Sequence, residues 1–548
     1  MYRFGFSDKL LRFLTPLALC LTAYLYFYPV FHGCVFPSRD ASRLTAFSET
    51  LEQHWVLLRG SGTAARELFP VPFRLLVFAD PQLEGDSSLP KPEDGLLPKL
   101  SRHWEKLRAE KLQEILPVVF DSLQEVCLED IPEALQALRK QIDLFGNDYY
   151  LGHIFRTLHW WTRPTHVTVL GDLIGSQWTT NDEFEWRGWR FWNRVFARGH
   201  RVEDELTTIH REEEEVLLDM KDGNWTTKII NIAGNHDIGY AGDISQSRVE
   251  RFETVFGKAN WDVRFQYPHF NDTTISSDAK QHPSLHLVVL NSLILDSPAL
   301  SEDLRAETFS YINGLISDRL RPVEDRSSFT LLLTHLPLHK PEGTCVDAPF
   351  FDYWGNDDGG GVYKPHGLKE QNHLSEHASQ HGTLEALFGM TGNVDAPAHG
   401  KGRNGLILTG HDHEGCDVWH FIPRDSVWSA SGDHDEAKPE SQWNASRWTS
   451  SNHSSAHTGI REITLRSMMG DYGGNAGLLS AWFDYDLGEW KYDIHMCGFN
   501  VKVWWAVHVI DLMVLGLCLF SLAMRLQTFA ERTSHERRPD FSREKKEK

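Results

Sequence analysis

Five short motifs along this chain each follow a run of apolar residues, and that pairing restricts the fold more than any other feature. Asp80-Pro81-Gln82 follows Leu75-Leu76-Val77-Phe78, and Gly171-Asp172 follows Val167-Thr168-Val169-Leu170. Gly234-Asn235-His236-Asp237 follows Ile229-Ile230-Asn231-Ile232. Thr334-His335 follows Leu331-Leu332-Leu333, and Gly410-His411-Asp412-His413 follows Leu406-Ile407-Leu408. Short runs of Leu and β-branched residues bounded by turn residues read as buried strands. Ligands that leave the carboxyl ends of several strands converge in space although they lie far apart in sequence. Seven metal-competent side chains are thereby expected to meet: Asp80, Gln82, Asp172, Asn235, His335, His411 and His413.

Two divalent ions about 3.5–4 Å apart need a bridging anionic oxygen and separate oxygen or imidazole ligands for each ion. Asp172 is the natural bridge. Asp80, Gln82 and His413 can complete one ion, and Asn235, His335 and His411 the other. His411 and His413 alternate on an extended segment, so a kink is needed for both to reach the pair, and Gly410 permits it. Such ions bring a water toward ionisation near neutral pH, which makes it a nucleophile. His236, beside Asn235, is placed to protonate the departing oxygen or to stabilise charge on phosphorus. Each motif alone is weak. All five in order, each behind an expected strand, form a strong joint signal.

Residues 70–500 read as one catalytic domain with long insertions. Strands are expected at 74–80, before Asp172, and at 228–233, 285–291 and 329–334. Residues 98–160 show helical periodicity in Leu112-Ile115-Leu116-Phe120-Leu123, and the Trp-rich stretch 182–215 is read as helical. Ser301–Leu320 reads as an amphipathic helix opened by a Ser cap with acidic residues behind it. The segment from His335 to His411 is irregular, and residues 432–458 read as an exposed loop. Strands alternating with helices indicate α/β.

Two apolar segments flank this domain, 13–31 and 503–524, each long enough to cross a bilayer. The first exceeds a signal-peptide core of about 7–15 residues and lacks an A-x-A-like site, which favours an uncleaved anchor. In the second, His508 and Asp511 are costly in lipid, and Asp511 is expected to face protein or to snorkel. Arg3, Lys9 and Arg12 precede the first span, and a basic tail over 525–548 follows the second. By the positive-inside rule both ends, 1–12 and 525–548, are cytosolic and the domain between is lumenal or extracellular. Sequons at Asn224, Asn271, Asn444 and Asn452 agree. The final Lys545-Lys546-Glu547-Lys548 is similar to a dilysine retrieval signal of endoplasmic-reticulum membrane proteins.

Of seven cysteines, Cys20 and Cys518 lie in the spans. The odd number left, Cys34, Cys127, Cys345, Cys416 and Cys497, leaves at least one without an internal partner, and sequence does not give the pairing. The net charge of −21 argues against nucleic-acid binding. Trp178, Trp186, Trp189 and Trp192 cluster after the second motif. Packing is the favoured reading, with a sugar-stacking platform as the alternative. His366, His373, His377, His381 and His399 read as solvated loop residues.

Together the five motifs resemble the calcineurin-like metallophosphoesterase superfamily across roughly residues 73–420. That resemblance implies a four-layer α/β/β/α sandwich with a two-metal site at one edge. The longer matches Gly171-Asp172-Leu173-Ile174-Gly175-Ser176-Gln177-Trp178 and Gly234-Asn235-His236-Asp237-Ile238-Gly239-Tyr240 resemble the fungal membrane enzymes that remodel GPI anchors. Such enzymes remove an ethanolamine-phosphate branch from a mannose of the GPI glycan in the endoplasmic reticulum. The resemblance implies GPI-anchored proteins or the GPI glycolipid as substrate, with cargo-export receptors as partners and cycling to the Golgi. Two other readings compete: a lumenal phosphatase for another phosphoester, and a cargo adaptor with a vestigial site. Against the last, all seven positions hold competent ligands. One departure matters: Gln82 stands where the superfamily usually has His. An amide oxygen is a harder, weaker donor than imidazole, so two divalent ions of the Mn²⁺ type are expected rather than Zn²⁺ or Fe.

Overall fold

The computed structural model describes residues 2–37, 71–85, 89, 95–109, 115–208, 217–220, 222–267, 282–319, 321–423, 426–427, 443–449 and 459–536. The chain divides into two compact units, Gly33–Phe499 and the pairing of Met1–His32 with Asn500–Lys548.

The larger unit is a mixed α/β sandwich. Its strands are β1 (Phe73–Phe78), β2 (His166–Val169), β3 (His200–Arg201), β4 (Leu218–Asp219), β5 (Lys228–Asn231), β6 (Trp261–Gln266), β7 (Ser284–Val289) and β8 (Ser328–Leu333). Then follow β9 (Phe351–Tyr353), β10 (Leu368–Gln371), β11 (Gly405–Thr409), β12 (Cys416–Phe421), β13 (Asn444–Arg447), β14 (Gly459–Thr464), β15 (Asn475–Asp484) and β16 (Glu489–Gly498). One large sheet runs β16-β15-β1-β2-β5-β3, the other β13-β12-β14-β11-β8-β7-β6-β4, and β10-β9 form a separate two-stranded sheet. β1, β2 and β5 are mutually parallel, as are β7, β8, β11 and β14.

Alternate residues explain the packing. Phe73, Leu75 and Val77 point into one core with Leu285, Leu287, Val289, Leu331, Leu333, Leu406 and Leu408 from the facing sheet. Burying each such side chain contributes roughly 1.5–3 kcal/mol. The intervening residues are buried on the other face: Phe78 meets Phe155 of the helix Ile131–Thr162 and Phe196, with ring centroids 6.1 and 5.7 Å apart. Burial on both faces is why these strands read as continuous apolar runs. The helix Glu302–Ser317 starts where the sequence places it, with Ser301 Oγ accepting from Leu304 N at 3.3 Å.

Several expectations need correction. The stretch 182–215 is helical over Asn181–Arg190, with one irregular helical turn to Val195, and then turns through β3 into the short helix Asp204–Thr207. Residues 209–216 lie outside the described residues. Within 432–458, Asn444–Arg447 forms β13 on the edge of a sheet. Leu116, Phe120 and Leu123 are helical but exposed, and Leu112 lies outside the described residues. Disulfides join Cys34 to Cys497 and Cys345 to Cys416, leaving Cys127 as the free thiol of the larger unit. Asn224 and Asn444 are exposed, whereas Asn271, Asn452 and the Lys545–Lys548 tail lie outside the described residues.

In the smaller unit the helix Tyr2–Tyr26 packs along the helix Val501–Glu536. Thr22 Oγ1 donates to Asp511 Oδ2 at 2.9 Å, so Asp511 faces protein. His508 stacks on Trp504 with ring centroids 4.2 Å apart. Among the described residues one helix, over Val501–Glu531, is long and apolar enough to cross a membrane. The other expected span falls on Tyr2–Tyr26 and the short helix Tyr28–Phe31, with a break at Phe27.

Candidate metal centre

The motif loops leave the carboxyl ends of β1, β2 and β5 in one sheet and β8 and β11 in the other, and they meet between the two. Asp80, Gln82, Asp172 and His411 take left-handed backbone angles, with φ of 51°, 40°, 50° and 72°. Such angles cost on the order of 1–3 kcal/mol each and persist only where the surroundings enforce them. They turn the chain sharply at each strand end, which aims the side chains at one point. The expected role of Gly410 changes here. His411 itself takes the positive φ, and Gly410 is required for space, because a Cβ there would stand 2.4 Å from Leu170 O. Gly234 is under the same constraint, its Cβ falling 2.0 Å from Asp172 N.

The hydrogen bonds of two imidazoles define what the centre can hold. His335 Nδ1 donates to Leu170 O at 2.8 Å, and His411 Nε2 donates to Gln371 O at 3.0 Å. A carbonyl only accepts, so each neutral ring turns a lone pair inward. Those lone pairs, His335 Nε2 and His411 Nδ1, each lie 2.9 Å from Asn235 Oδ1, itself an acceptor. Asp172 Oδ1 is 3.4 Å from His335 Nε2. With Asn235 Oδ1 turned toward both rings, acceptors converge on acceptors, an arrangement that a bound cation would satisfy.

A second group shares Asp172. Ligand atoms of Asp80, Asp172 and His413 lie within 4.8 Å of one another, as do those of Asp172, His335 and His411. Gln82 closes the first group, with its Nε2 3.0 Å from Asp172 Oδ2 and 3.1 Å from His413 Nε2. A half-turn of the amide presents Oε1 to the same space. Asp80 Oδ2 is buried without a hydrogen-bond partner. Burial and the neighbouring Asp172 carboxylate push the Asp80 pKa well above the usual range. Burial lowers His335 and His413 and takes His411 down to about 3, which keeps these rings in the neutral, ligating form. The donor set therefore fits divalent cations.

His236 sits at the edge of this group. Its backbone N donates to Asp172 Oδ1 at 2.8 Å, and its ring Nδ1 donates to Gly175 O at 3.1 Å. The remaining nitrogen, Nε2, is 3.8 Å from Asp172 Oδ2 and borders the cavity above the centre.

No protein-family model matches the chain. Among individual proteins, it is 31% identical to Protein TED1 of Saccharomyces cerevisiae over 407 residues, covering 67% of this chain and 76% of that protein. The chain belongs to the TED1-type metallophosphoesterases. It is also 25% identical over 298 residues to Metallophosphoesterase 1 of Gallus gallus, covering 53% of this chain and 61% of that one. Metallophosphoesterase 1 of Danio rerio is 28% identical over 116 residues, 21% of this chain and 24% of that protein. A phosphoesterase using divalent metal is the chemistry of this family.

In this TED1-type chain, residues outside the expected set brace the centre. Asp237, fully buried, accepts from Gly234 N, Leu173 N and Ile174 N at 2.9, 3.2 and 3.0 Å, tying the second motif loop to the third. Its presence in the Gly234–Asp237 motif was the available signal. Ser467 donates from Oγ to Asp80 O at 3.0 Å and from N to His413 O at 3.1 Å, and Tyr472 packs on the His413 ring at 4.7 Å. No pattern in the sequence marks them. Of the tryptophan cluster only Trp178 borders the cavity. Trp186 and Trp189 stack on each other at 4.9 Å on an exposed face, and Trp192 Nε1 donates to Val255 O at 3.0 Å. Of the insertion histidines, His373 is fully buried and none borders the cavity.

Proposed function

We propose that this TED1-type chain is a two-metal phosphodiesterase that removes an ethanolamine-phosphate branch from a mannose of GPI anchors. In this reading Asp80, Gln82 and His413 hold one ion, Asn235, His335 and His411 hold the other, and Asp172 serves both. The observation that carries it is the convergence of carboxylate, amide and neutral imidazole ligand atoms in two groups that share Asp172. When bound, the ions supply positive charge to the phosphoryl oxygens and an acidified water. The remaining work falls to the chain. His236 has Nδ1–H committed to Gly175 O, so its Nε2, as imidazolium, donates a proton to the departing sugar oxygen. Asn235 and Gln82 are neutral, which keeps the ligand set from over-neutralising the ions. The Gln82 amide favours Mn²⁺.

The proposed setting is the endoplasmic-reticulum membrane, with the 70–500 domain lumenal between spans at 13–31 and 503–524 and the 525–548 tail cytosolic. GPI-anchored cargo and its export receptors are the proposed partners. Tethering beside a lipid-linked substrate raises its effective concentration at the site.

The test is mass analysis of GPI glycans from cells that carry Asp172→Ala or His236→Ala as the sole copy. Ethanolamine phosphate is expected to accumulate on one mannose while the protein stays folded and membrane-bound. Glycans identical to those of wild-type cells would overturn the proposal.

A further inference from the structure

The helical arm over residues 96–145 is built inside out. Among its described residues only His103, Ser122 and Asp130 are buried, and all three are polar. The helix Leu96–Ala109 docks on the helical stretch 115–162 through charge. Lys99 Nζ lies 3.1 Å from Asp130 Oδ1 and 2.5 Å from Glu133 Oε2, and His103 Nε2 is 3.0 Å from Asp130 Oδ2. The apolar residues face outward instead. Ile131, Leu135, Leu138, Ile142, Phe145 and Tyr149 recur at steps of four and three residues, which puts them on one face of the helix Ile131–Thr162, and all six are exposed. Leu116, Phe120 and Leu123 repeat the spacing in the helix Ile115–Glu125 and are exposed as well. An apolar stripe of this length on a protein surface marks contact with an apolar partner.

The root of the arm decides which partner it meets. Tyr150, beside the last residue of the stripe, donates its hydroxyl to Phe499 O, and the His153 ring packs on Phe499 with centroids 6.2 Å apart. The Cys34–Cys497 disulfide lies two residues before Phe499. The helix long and apolar enough to cross a membrane starts two residues after it, at Val501. The stripe thus begins where the chain passes into that helix, and Ile131 lies roughly 27 Å from Tyr149 at about 1.5 Å per residue. At the root, Trp186 and Trp189 are exposed, and the Arg194 guanidinium lies 5.7, 5.8 and 5.6 Å from the rings of Phe145, Trp186 and Trp189. Aromatic rings with a polar tip gather at membrane–water interfaces. The helix Leu96–Ala109 supplies the matching charge. It carries Lys99, Arg102, Lys106 and Arg108 against the single acidic Glu105, in a chain of net charge −21, and it exposes Leu97 and Trp104. A basic helix with Leu and Trp on another face suits the boundary between phosphate headgroups and acyl chains.

Resting on the membrane setting proposed above, we infer that the arm over residues 96–149 lies flat in the headgroup region of the bilayer that anchors the chain, with its apolar stripe against the upper acyl chains. The occupant is the lipid surface because the root at Phe499 tethers the stripe beside it, which raises its effective concentration above that of any dissolved partner. The arm would then hold the catalytic domain against the membrane.

Cys127 stands in the stripe between Leu123 and Ile131, and with Cys20→Ser and Cys518→Ser it is the sole thiol outside the two disulfides. The full chain in this background is labelled there with a fluorophore and assembled into phosphatidylcholine nanodiscs. Quenching by nitroxide near the top of the acyl chains is compared with quenching by aqueous iodide. The control label sits on Asp486→Cys with Cys127→Ser, in the exposed turn between β15 and β16 at the end of that hairpin away from Cys497. The Cys127 label is expected to sit about 5–10 Å into the headgroup–acyl boundary and to be quenched by nitroxide at least about threefold more than the control. Leu135→Glu with Ile142→Glu should bring nitroxide quenching down to the control level, and an unchanged melting transition in detergent shows that this variant is folded. A Cys127 label as open to iodide as the control overturns the inference and leaves the membrane setting standing. Shielding from both quenchers also overturns it, since protein then covers the stripe, as does undiminished nitroxide quenching in the double Glu variant. Failure of the full chain to enter nanodiscs, with the protein remaining soluble without detergent, overturns the membrane setting and the inference with it.

Discussion

Gln82 and Asn235 are the two amides in a centre otherwise made of imidazole and carboxylate, and Gln82 is the one that stands where the superfamily usually has His. Its amide reaches both Asp172 and His413, and its backbone φ of 40° lies in the left-handed region, which histidine tolerates better than most residues. Gln82→His is therefore sterically compatible and changes mainly the donor. Offered equal Mn²⁺, Zn²⁺ and Fe²⁺, the variant should carry a larger share of Zn²⁺ and Fe than wild type, as elemental analysis of the purified full chain would show. An unchanged metal ratio would remove Gln82 as the determinant. That the seven candidate ligands and His236 come together at one point was legible in the sequence, because metal chemistry uses few residue types and each stood behind an apolar run. Ser467 and Tyr472 were not. They reach Asp80 and His413 only through the return of the chain after β14, and a serine or tyrosine in a loop carries no local mark of that contact.

Among the elements, the strands buried on both faces announced themselves: β1, β2, β5, β7, β8 and β11 are nearly wholly buried and rich in Leu and β-branched residues. β16 did not, since its residues are mostly half-buried or exposed with charges interspersed, and β9 and β10 are too short for any period to show. The amphipathic pattern at 115–123 gave the right helix for a partner that the described residues do not supply, because Leu116, Phe120 and Leu123 stay exposed. Helical periodicity fixes which residues share a face and not what covers that face. The Cys345–Cys416 bridge is an element-level feature that only the structure could assign. It closes a loop of sequence separation 71 and ties the cavity wall to the first residue of β12. Cross-links of this span contribute about 2–4 kcal/mol. Cys345→Ser with Cys416→Ser should lower the melting temperature of the full chain in detergent by removing this cross-link. Unchanged melting would show that the bridge does not stabilise the unit.

The sandwich as a whole carries a built-in acid sensitivity, separate from the metal centre. His166 lies on β2 between Phe73, Phe265 and Trp225, at ring distances of 4.6, 4.6 and 5.6 Å, and its Nε2 has no hydrogen-bond partner. Burial takes its pKa down to about 3. His373 falls to about 3 through burial and the nearby Lys340 charge, and His286 to about 4 through burial and Arg264. A histidine with a depressed folded pKa lends full stability above its unfolded value of about 6.5. That stability is lost as pH falls toward the folded value, because the unfolded chain takes up protons that the folded one refuses. Each of the three should contribute a loss of about 2 kcal/mol at pH 5 relative to pH 8. Glu462 adds a later stage. The Lys340 charge and a hydrogen bond from His420 outweigh its burial and hold it at about 2, so its contribution fades only as pH drops from about 4.5 toward 2. Against a typical total of about 5–15 kcal/mol, a loss of about 2 kcal/mol at each such histidine is a substantial fraction. His166→Phe removes one titrating ring and keeps the aromatic contacts with Phe73 and Phe265. The difference in melting temperature of the full chain between pH 8 and pH 5 should then shrink, because one of the histidines that resists protonation in the folded state is gone. An unchanged difference would place the acid sensitivity elsewhere in the molecule.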